Sequence, residues 1–231
     1  MFQCIDAAKI RGKLIENEFV FVTLITSKSE YEEHLRSLFE NGFKEKNCSF
    51  VFFDNRKENA NDPFESFNRV LNFIHAQYVV FVHQDTRFIF DGFKDLKCKL
   101  EELSDLDPNW AVAGNAGGNY DLQKNFIRIT DPANKNLKTA SLPHRVHSLD
   151  ENLLILRKSS LVAFSNDLHG FHFYGTDLCQ QAESRGYSCY VIDFHLEHLS
   201  SGNKGKLFDQ ARTRFIEKYQ SKLQTRFIRM T

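Results

Sequence analysis

The chain has little with which to staple itself together. Its five cysteines (Cys4, Cys48, Cys98, Cys179 and Cys189) are scattered, odd in number and without a C-x-x-C pair. That spacing argues against a disulfide framework and against a structural zinc site, and reads as buried thiols in a reducing compartment. Charge of one sign is also missing: 30 Lys and Arg balance 30 Asp and Glu. Proteins that wrap nucleic acid or coat anionic membranes carry a basic excess, so neither is an expected partner. No apolar run approaches the roughly 20 residues that span a bilayer, and Met1 to Lys13 lacks an apolar stretch of signal-peptide length. The location expected by default is cytoplasmic. No repeat, low-complexity tract or linker divides the chain, so residues 1–231 are expected to form one domain. Nor does G-x-G-x-x-G or G-x-x-x-x-G-K-[ST] follow the first strand, which weighs against a dinucleotide dehydrogenase or a P-loop kinase.

What is present is phenylalanine, 23 residues of it against a single tryptophan, in a chain of ordinary hydrophobic (42%) and charged (26%) content. Phe19–Ile25 (FVFVTLI), Ser49–Phe53 and Tyr78–Val82 (YVVFV) are apolar runs of buried-strand length. Between them lie helical patterns. Ser29 with Glu32 three residues on forms a capping box, and Tyr31, Leu35 and Leu38 follow at helical spacing before the stop at Asn41-Gly42. Asp62, Pro63 and Glu65 make a second helix start, followed by the stripe Phe64, Phe67, Leu71 and Ile74. Phe93, Leu96, Leu100 and Leu103 mark a third helix. Such alternation implies parallel strands joined by right-handed helical crossovers.

The second half is less regular. Trp110–Ala113 reads as a strand running into Gly114-Asn115-Ala116-Gly117-Gly118, whose small residues permit close backbone approach. Residues 119–147 read as a long loop, with a hairpin around Phe126–Ile129, and loops of that length commonly act as lids. Leu153–Leu156 and Cys189–Phe194 are further strands. A short helix spans about Thr176 to Arg185, and a C-terminal amphipathic helix about Leu207 to Leu223.

In an open parallel sheet, ligands bind beyond the carboxyl ends of the strands. Those ends carry Thr26-Ser27, then Asp54-Asn55-Arg56, then His83-Gln84-Asp85. Turn formation accounts equally well for Asp54-Asn55, and helix capping for the Ser and Thr. The His and Asp two apart converge on one point and can share a divalent cation. Without a glycine-rich phosphate loop, a phosphorylated ligand needs metal or basic side chains. Oxygen ligands joined by histidine suit a Mn²⁺-like ion better than Ca²⁺. Further polar residues in apolar settings are Asp150-Glu151, His172, Asp177, His195 and His198. Asp177 reads equally as a capping acid, and His172 and His195 as ordinary core or surface histidines.

Five pieces in order, FVTLITS, FFDN, FESFNRVLNFIHAQYVVFVHQD, VHSLDENLLILRKS and FHFYGTDLCQQAESRGYSCYVIDFHLEHLSSG, cover roughly residues 19 to 202. Together they resemble family 2-type glycosyltransferases of the GT-A fold, in particular the compact streptomycin-biosynthesis-type group. The resemblance implies an α/β fold with a mostly parallel central sheet flanked by helices, of the nucleotide-diphospho-sugar transferase type. It implies a nucleotide-binding half over about 19–114, an acceptor and catalytic half over about 115–205, and a C-terminal helix over about 206–225. It places Thr26, Asp54 and Asn68 by the nucleotide, with His83, Gln84 and Asp85 on the donor. Asp85 and His198 would hold a divalent cation, Mn²⁺ in preference to Mg²⁺ because His83 replaces the first carboxylate of the family's D-x-D motif. Asp177 falls at the general base, and Asp150, Glu151 and His172 on the acceptor side. The implied reaction is inverting transfer from a nucleotide-sugar, UDP-sugar foremost, to a glycan or small-molecule hydroxyl. The alternative from another class is a non-catalytic sugar-nucleotide or glycan-binding domain with a degenerate metal motif.

Overall fold

The first apolar run extends into a strand longer than its apolar stretch. The computed structural model of the chain describes residues 3–12, 14–139, 141–200, 202 and 205–220. A short β1 (Cys4–Asp6) precedes β2 (Ile15–Ile25), and α1 (Lys28–Glu40) follows. The cap of α1 is Ser27, whose Oγ accepts from Glu30 N at 3.4 Å, so the helix starts before the expected box at Ser29. Next come β3 (Cys48–Asp54), α2 (Pro63–Leu71), β4 (Ile74–Val82), β5 (Thr86–Arg87), α3 (Phe93–Leu106) and β6 (Trp110–Gly114). Asp62 caps α2 as its sequence implies, accepting from the backbone of Phe64 and Glu65.

The stretch expected to be a long loop is largely extended. It holds the end of β7 (Ala116–Asn119), β8 (Lys124–Thr130), β9 (Leu137–Lys138) and β10 (His144–Val146). β8 pairs antiparallel with both β7 and β9, so its polar composition reflects the exposed side of a small sheet rather than a lid. Then come β11 (Ser148–Leu149), β12 (Leu153–Arg157), α4 (Tyr174–Ser184), β13 (Ser188–Val191), β14 (Leu196–His198) and α5 (Lys206–Gln220). The expected end of the last helix at Leu223, like Ser201, lies outside the described residues.

Among the described residues, eight strands form the main sheet in the order β1-β3-β2-β4-β12-β6-β13-β10. β2 is parallel to both of its neighbours, β3 and β4. Its Phe19 and Phe21 pack against Leu35 and Leu38 of α1 and Leu96 and Leu100 of α3, on one face. Val20 and Val22 belong to the opposite face, with Phe64 and Phe67 of α2 and Leu178 and Ala182 of α4. Both faces are covered from Phe19 onward, which is why that part of the strand is almost wholly apolar. Burying each Phe contributes about 1.5–3 kcal/mol. The winding direction reverses at β2, which opens a crevice beyond the carboxyl ends of β2 and β4.

β12 departs from the parallel pattern. It runs antiparallel between β4 and β6, with Leu153 opposite Val82. An antiparallel neighbour brings its amino end to the edge where β4 ends, so Asp150, Glu151 and Asn152 arrive beside His83, and His83 N donates to Asn152 O at 3.2 Å. Gly114 permits close backbone approach as expected, but toward protein: a Cβ there would lie 2.7 Å from Leu153 O.

Candidate active site

A cavity of about 340 Å³ fills the crevice between β2 and β4, walled by Thr26, Asn55, His83, Gln84, Asp85, Phe171 and Tyr174 among others. Its size falls within the range of small-ligand pockets. An aromatic cluster builds its floor: Phe67 of α2 stacks on Phe81 of β4 at 4.4 Å, and Phe67 meets Tyr174 edge-on at 5.8 Å.

The turn after β4 is held from several sides. Gln84 Oε1 accepts from Thr26 N (2.9 Å) and Ser27 N (3.1 Å), while its Nε2 donates to Thr26 Oγ1 at 2.6 Å. One carboxamide thus ties the ends of β2 and β4 together. On the other side Thr86 Oγ1 donates to His83 O at 2.9 Å, and buried His34 pairs through Nδ1 with Thr86 O at 3.0 Å. Burial pulls the His34 imidazole down to about 4.

β14 pairs antiparallel with β5, setting His198 opposite Thr86, and Leu199 N donates to Asp85 O at 2.9 Å. This register carries His198 Nε2 to 3.3 Å from Asp85 Oδ1. His83 Nδ1 stands 3.9 Å from the same oxygen. Each of the three residues offers a ligand atom, and these atoms lie within 4.8 Å of one another. The other ring nitrogen of His83 pairs with the Tyr174 hydroxyl at 2.8 Å, and that hydroxyl reaches Glu151 O at 3.4 Å. Burial opposes charge on Asp85, but the hydrogen bond and charge of His198 and the charge of His83 outweigh it. Its carboxyl is held well below the usual range. Burial likewise opposes protonation of His198, and Asp85 more than offsets it. Burial and then the charge of His198 keep His83 low. A carboxylate with two imidazoles, one oriented by an outer hydroxyl, fits a divalent transition ion.

Two carboxyl-bearing residues lie in the turn just before β12. Asp150 is partly exposed, and its Oδ1 accepts from Asn152 N at 2.9 Å. Its charge acts on His83 and His198. Glu151 is buried under the first turn of α4, Oε1 3.5 Å from Gly175 N. A Cβ on Gly175 would lie 2.5 Å from Leu149 O and 3.3 Å from Glu151 Cγ, so only glycine lets the first turn of α4 pack this closely on the backbone before Glu151. Burial and then the charge of Asp150 push Glu151 up to about 8.

Three residues assigned by resemblance stand elsewhere. Asp177 is 0% exposed. Its Oδ1 accepts from Ser165 Oγ (2.6 Å) and Tyr219 OH (2.5 Å), and its Oδ2 from Ser165 N (2.8 Å). It joins α4 to α5 and the preceding loop, and is sealed from solvent; at helical spacing a buried structural acid and an exposed one look alike. Asp54 is exposed and gripped by Arg56 at 2.7 and 2.8 Å, and its neighbour Asn55 turns into the cavity instead. Asn68 uses its amide on Phe164, donating to O at 2.8 Å and accepting from N at 2.9 Å, and so clamps α2 to the loop before α4. His172 borders a second cavity, and buried His195 is a core residue stacked on Phe90 at 3.8 Å. Sequence reasoning gave no role to Tyr174 or Phe171; the FHFYG run held both, with nothing to separate them from packing aromatics.

No protein-family profile matches the chain. Among solved structures, S. aureus TarS superposes with a TM-score of 0.55 at 13% identity, over 90% of this chain and 44% of that one. A TarS 1–349 structure in complex with UDP gives 0.56 at 14%, over 89% and 72%. The structure in complex with UDP-GlcNAc gives 0.54 at 14%, over 84% and 61%. The chain thus spans less than half of the longest of these, and at such identity the likeness is one of fold, which is GT-A. ATP synthase subunits region ORF 6 of Fuscovulum blasticum is 34% identical over 207 residues, 87% of this chain and 83% of that protein. The chain belongs to the same family as that Fuscovulum blasticum protein.

Proposed function

We propose that the protein is a metal-dependent, inverting glycosyltransferase that takes a nucleotide-sugar, UDP-sugar foremost, as donor. The observation that carries this reading is the convergence of His83, Asp85 and His198 on one point beside a cavity at the switch point of a GT-A fold. Thr26 and Gln84 hold the cavity wall where the nucleotide would lie. The order of the five sequence pieces supports placement in the compact streptomycin-biosynthesis-type group. Five free thiols suit action in the cytoplasm.

Asp85, His83 and His198 would hold the ion, Mn²⁺ in preference to Mg²⁺ because two of the three ligands are imidazoles. When bound there, the cation supplies positive charge against the departing diphosphate. The acceptor oxygen forms its bond to the anomeric carbon as the bond to the diphosphate oxygen breaks, and the electron pair leaves with the nucleoside diphosphate. The acceptor proton needs a base. Asp150, partly exposed and acting electrostatically on two of the three ligands, suits that role, whereas Asp177 is sealed in. General-base help is typically worth about 10²–10⁴ in rate. The acceptor is a glycan or small-molecule hydroxyl.

The test is calorimetric titration of UDP with and without Mn²⁺, followed by a panel of nucleotide-sugars screened for transfer and slow hydrolysis. Asp85→Ala loses Mn²⁺-dependent binding. Asp150→Asn keeps binding and loses turnover. Metal-independent binding with no turnover on any donor would sink the catalytic reading in favour of a sugar-nucleotide-binding domain.

A further inference from the structure

A second cavity, of about 230 Å³, lies between the loop before α4 and the first turns of α5. His169, Phe171, His172, Leu207, Gln210 and Arg214 line it. Phe171 also lines the first cavity, so the two cavities share an aromatic side chain. The loop is fixed against α5 by His172, edge-on to Phe208 at 5.4 Å, and by Phe173, 5.0 Å from the same ring. His172 is near enough to His83 for its charge to act on that triad residue.

The lining has a definite chemical character. Among the described residues it contains a guanidinium, two imidazoles and a carboxamide, and no carboxylate. Among the described residues, Arg214 makes no ion pair and His169 has no hydrogen-bond partner. Nearby Asp62 is already occupied, accepting from Gly170 N with one oxygen and from Phe64 N with the other. In a chain with no net charge, a pocket whose ionisable walls are all basic selects anions. Phe171, Leu207 and Ala211 supply an apolar wall for the rest of a ligand. Guanidinium and imidazole donors match the oxygens of a phosphate or carboxylate.

We infer that this cavity is an acceptor subsite, and that the acceptor carries an oxyanion, phosphate or carboxylate, which Arg214 and His169 bind while its reacting hydroxyl passes Phe171 into the first cavity. The acceptor role rests on the glycosyltransferase reading; oxyanion binding does not. The full-length protein, ¹⁵N-labelled, is titrated with inorganic phosphate and separately with acetate, following the imidazole nitrogens, with sodium chloride at matched ionic strength as blank. Saturable shifts at His169 and His172 with phosphate or acetate are expected, and the tighter of the two identifies the group. Arg214→Glu abolishes them and leaves Mn²⁺-dependent UDP binding within about twofold, which separates a damaged fold from a lost subsite. With any acceptor the enzyme uses, Arg214→Glu raises the acceptor KM at least tenfold and leaves the donor KM unchanged. Absence of saturable shifts, equal shifts in Arg214→Glu, or an unchanged acceptor KM overturns the proposal. Failure of UDP binding with intact anion shifts overturns the nucleotide-sugar reading instead.

Discussion

Replacing Glu151 by glutamine should stabilise the protein above neutral pH and do almost nothing below pH 5. The side chain is 9% exposed, and its nearest backbone donor, Gly175 N, stands at 3.5 Å. Burial and the charge of Asp150 move its carboxyl from the ordinary 4.5 to about 8, although the N–H groups of Gly175, Phe173 and Tyr174 pull the other way. Because the folded value lies above the unfolded one, the native state keeps a proton that the unfolded chain has released. Stability from this group is therefore complete below pH 4.5, falls as pH rises through the window to about 8, and is level beyond it. At about 1.4 kcal/mol per tenfold, full ionisation in place costs about 5 kcal/mol. Water entry and local relaxation around a buried charge reduce that to about 2–4 kcal/mol.

Urea denaturation of both proteins at pH 5, 7 and 9 tests this through the difference between them. Other groups titrate in the same range, and His34, pulled from 6.5 to about 4, works in the opposite direction. Those contributions cancel in the difference. The glutamine variant should match the wild type at pH 5 and exceed it by about 2–4 kcal/mol at pH 9. A difference that stays constant across the three pH values refutes the reasoning, since it would mean that Glu151 ionises as freely in the fold as in the open chain.

Tyr174→Phe removes the hydroxyl that orients His83, and Mn²⁺ affinity, read by calorimetry, should fall about 10–100-fold as for other outer-shell partners. Gln84→Leu frees the backbone of Thr26 and Ser27; UDP affinity should drop, with a stability loss of about 1–3 kcal/mol in urea. Asp177→Ala leaves Ser165 and Tyr219 without their shared acceptor, so it should lose about 3 kcal/mol of stability yet keep its turnover per folded molecule, whereas Asp150→Asn should show the reverse.

β2, β3, β4 and β6 were legible because the central stretch of each is largely buried on both faces and therefore written as a nearly unbroken apolar run, whereas the short, half-buried β1 carries no such run. Their crossover helices were legible because they carry stripes and caps. β12 was legible as a strand but not in direction. A buried antiparallel strand such as Leu153–Arg157 has the same apolar composition as a parallel one; only the partner's register distinguishes them. The small sheet was obscured for the opposite reason. β8 buries only Phe126 and Ile129 of its seven residues within an Asn- and Lys-rich segment, so most of its signal is the signal of a loop.

The same distinction separates the site residues that came together from those that did not. His83, Gln84 and Asp85 end a strand whose place in the sheet was already determined, so topology alone carried them to the switch point, and the register of β14 on β5 added His198. Asp177 depended on knowing which way one position of α4 points. Helical position 177 turns toward Ser165 and Tyr219, and Gly175, which has no side chain, faces the first-turn position beneath which Glu151 sits. Antiparallel β12 places Asp150 and Glu151 there because its amino end, not its carboxyl end, meets the active edge. Reversing one strand thus changes which carboxylate stands near the triad: the turn before β12 brings Asp150 close enough for its charge to act on His83 and His198, while the helix carboxylate of Asp177 stays inside to hold α4 against α5.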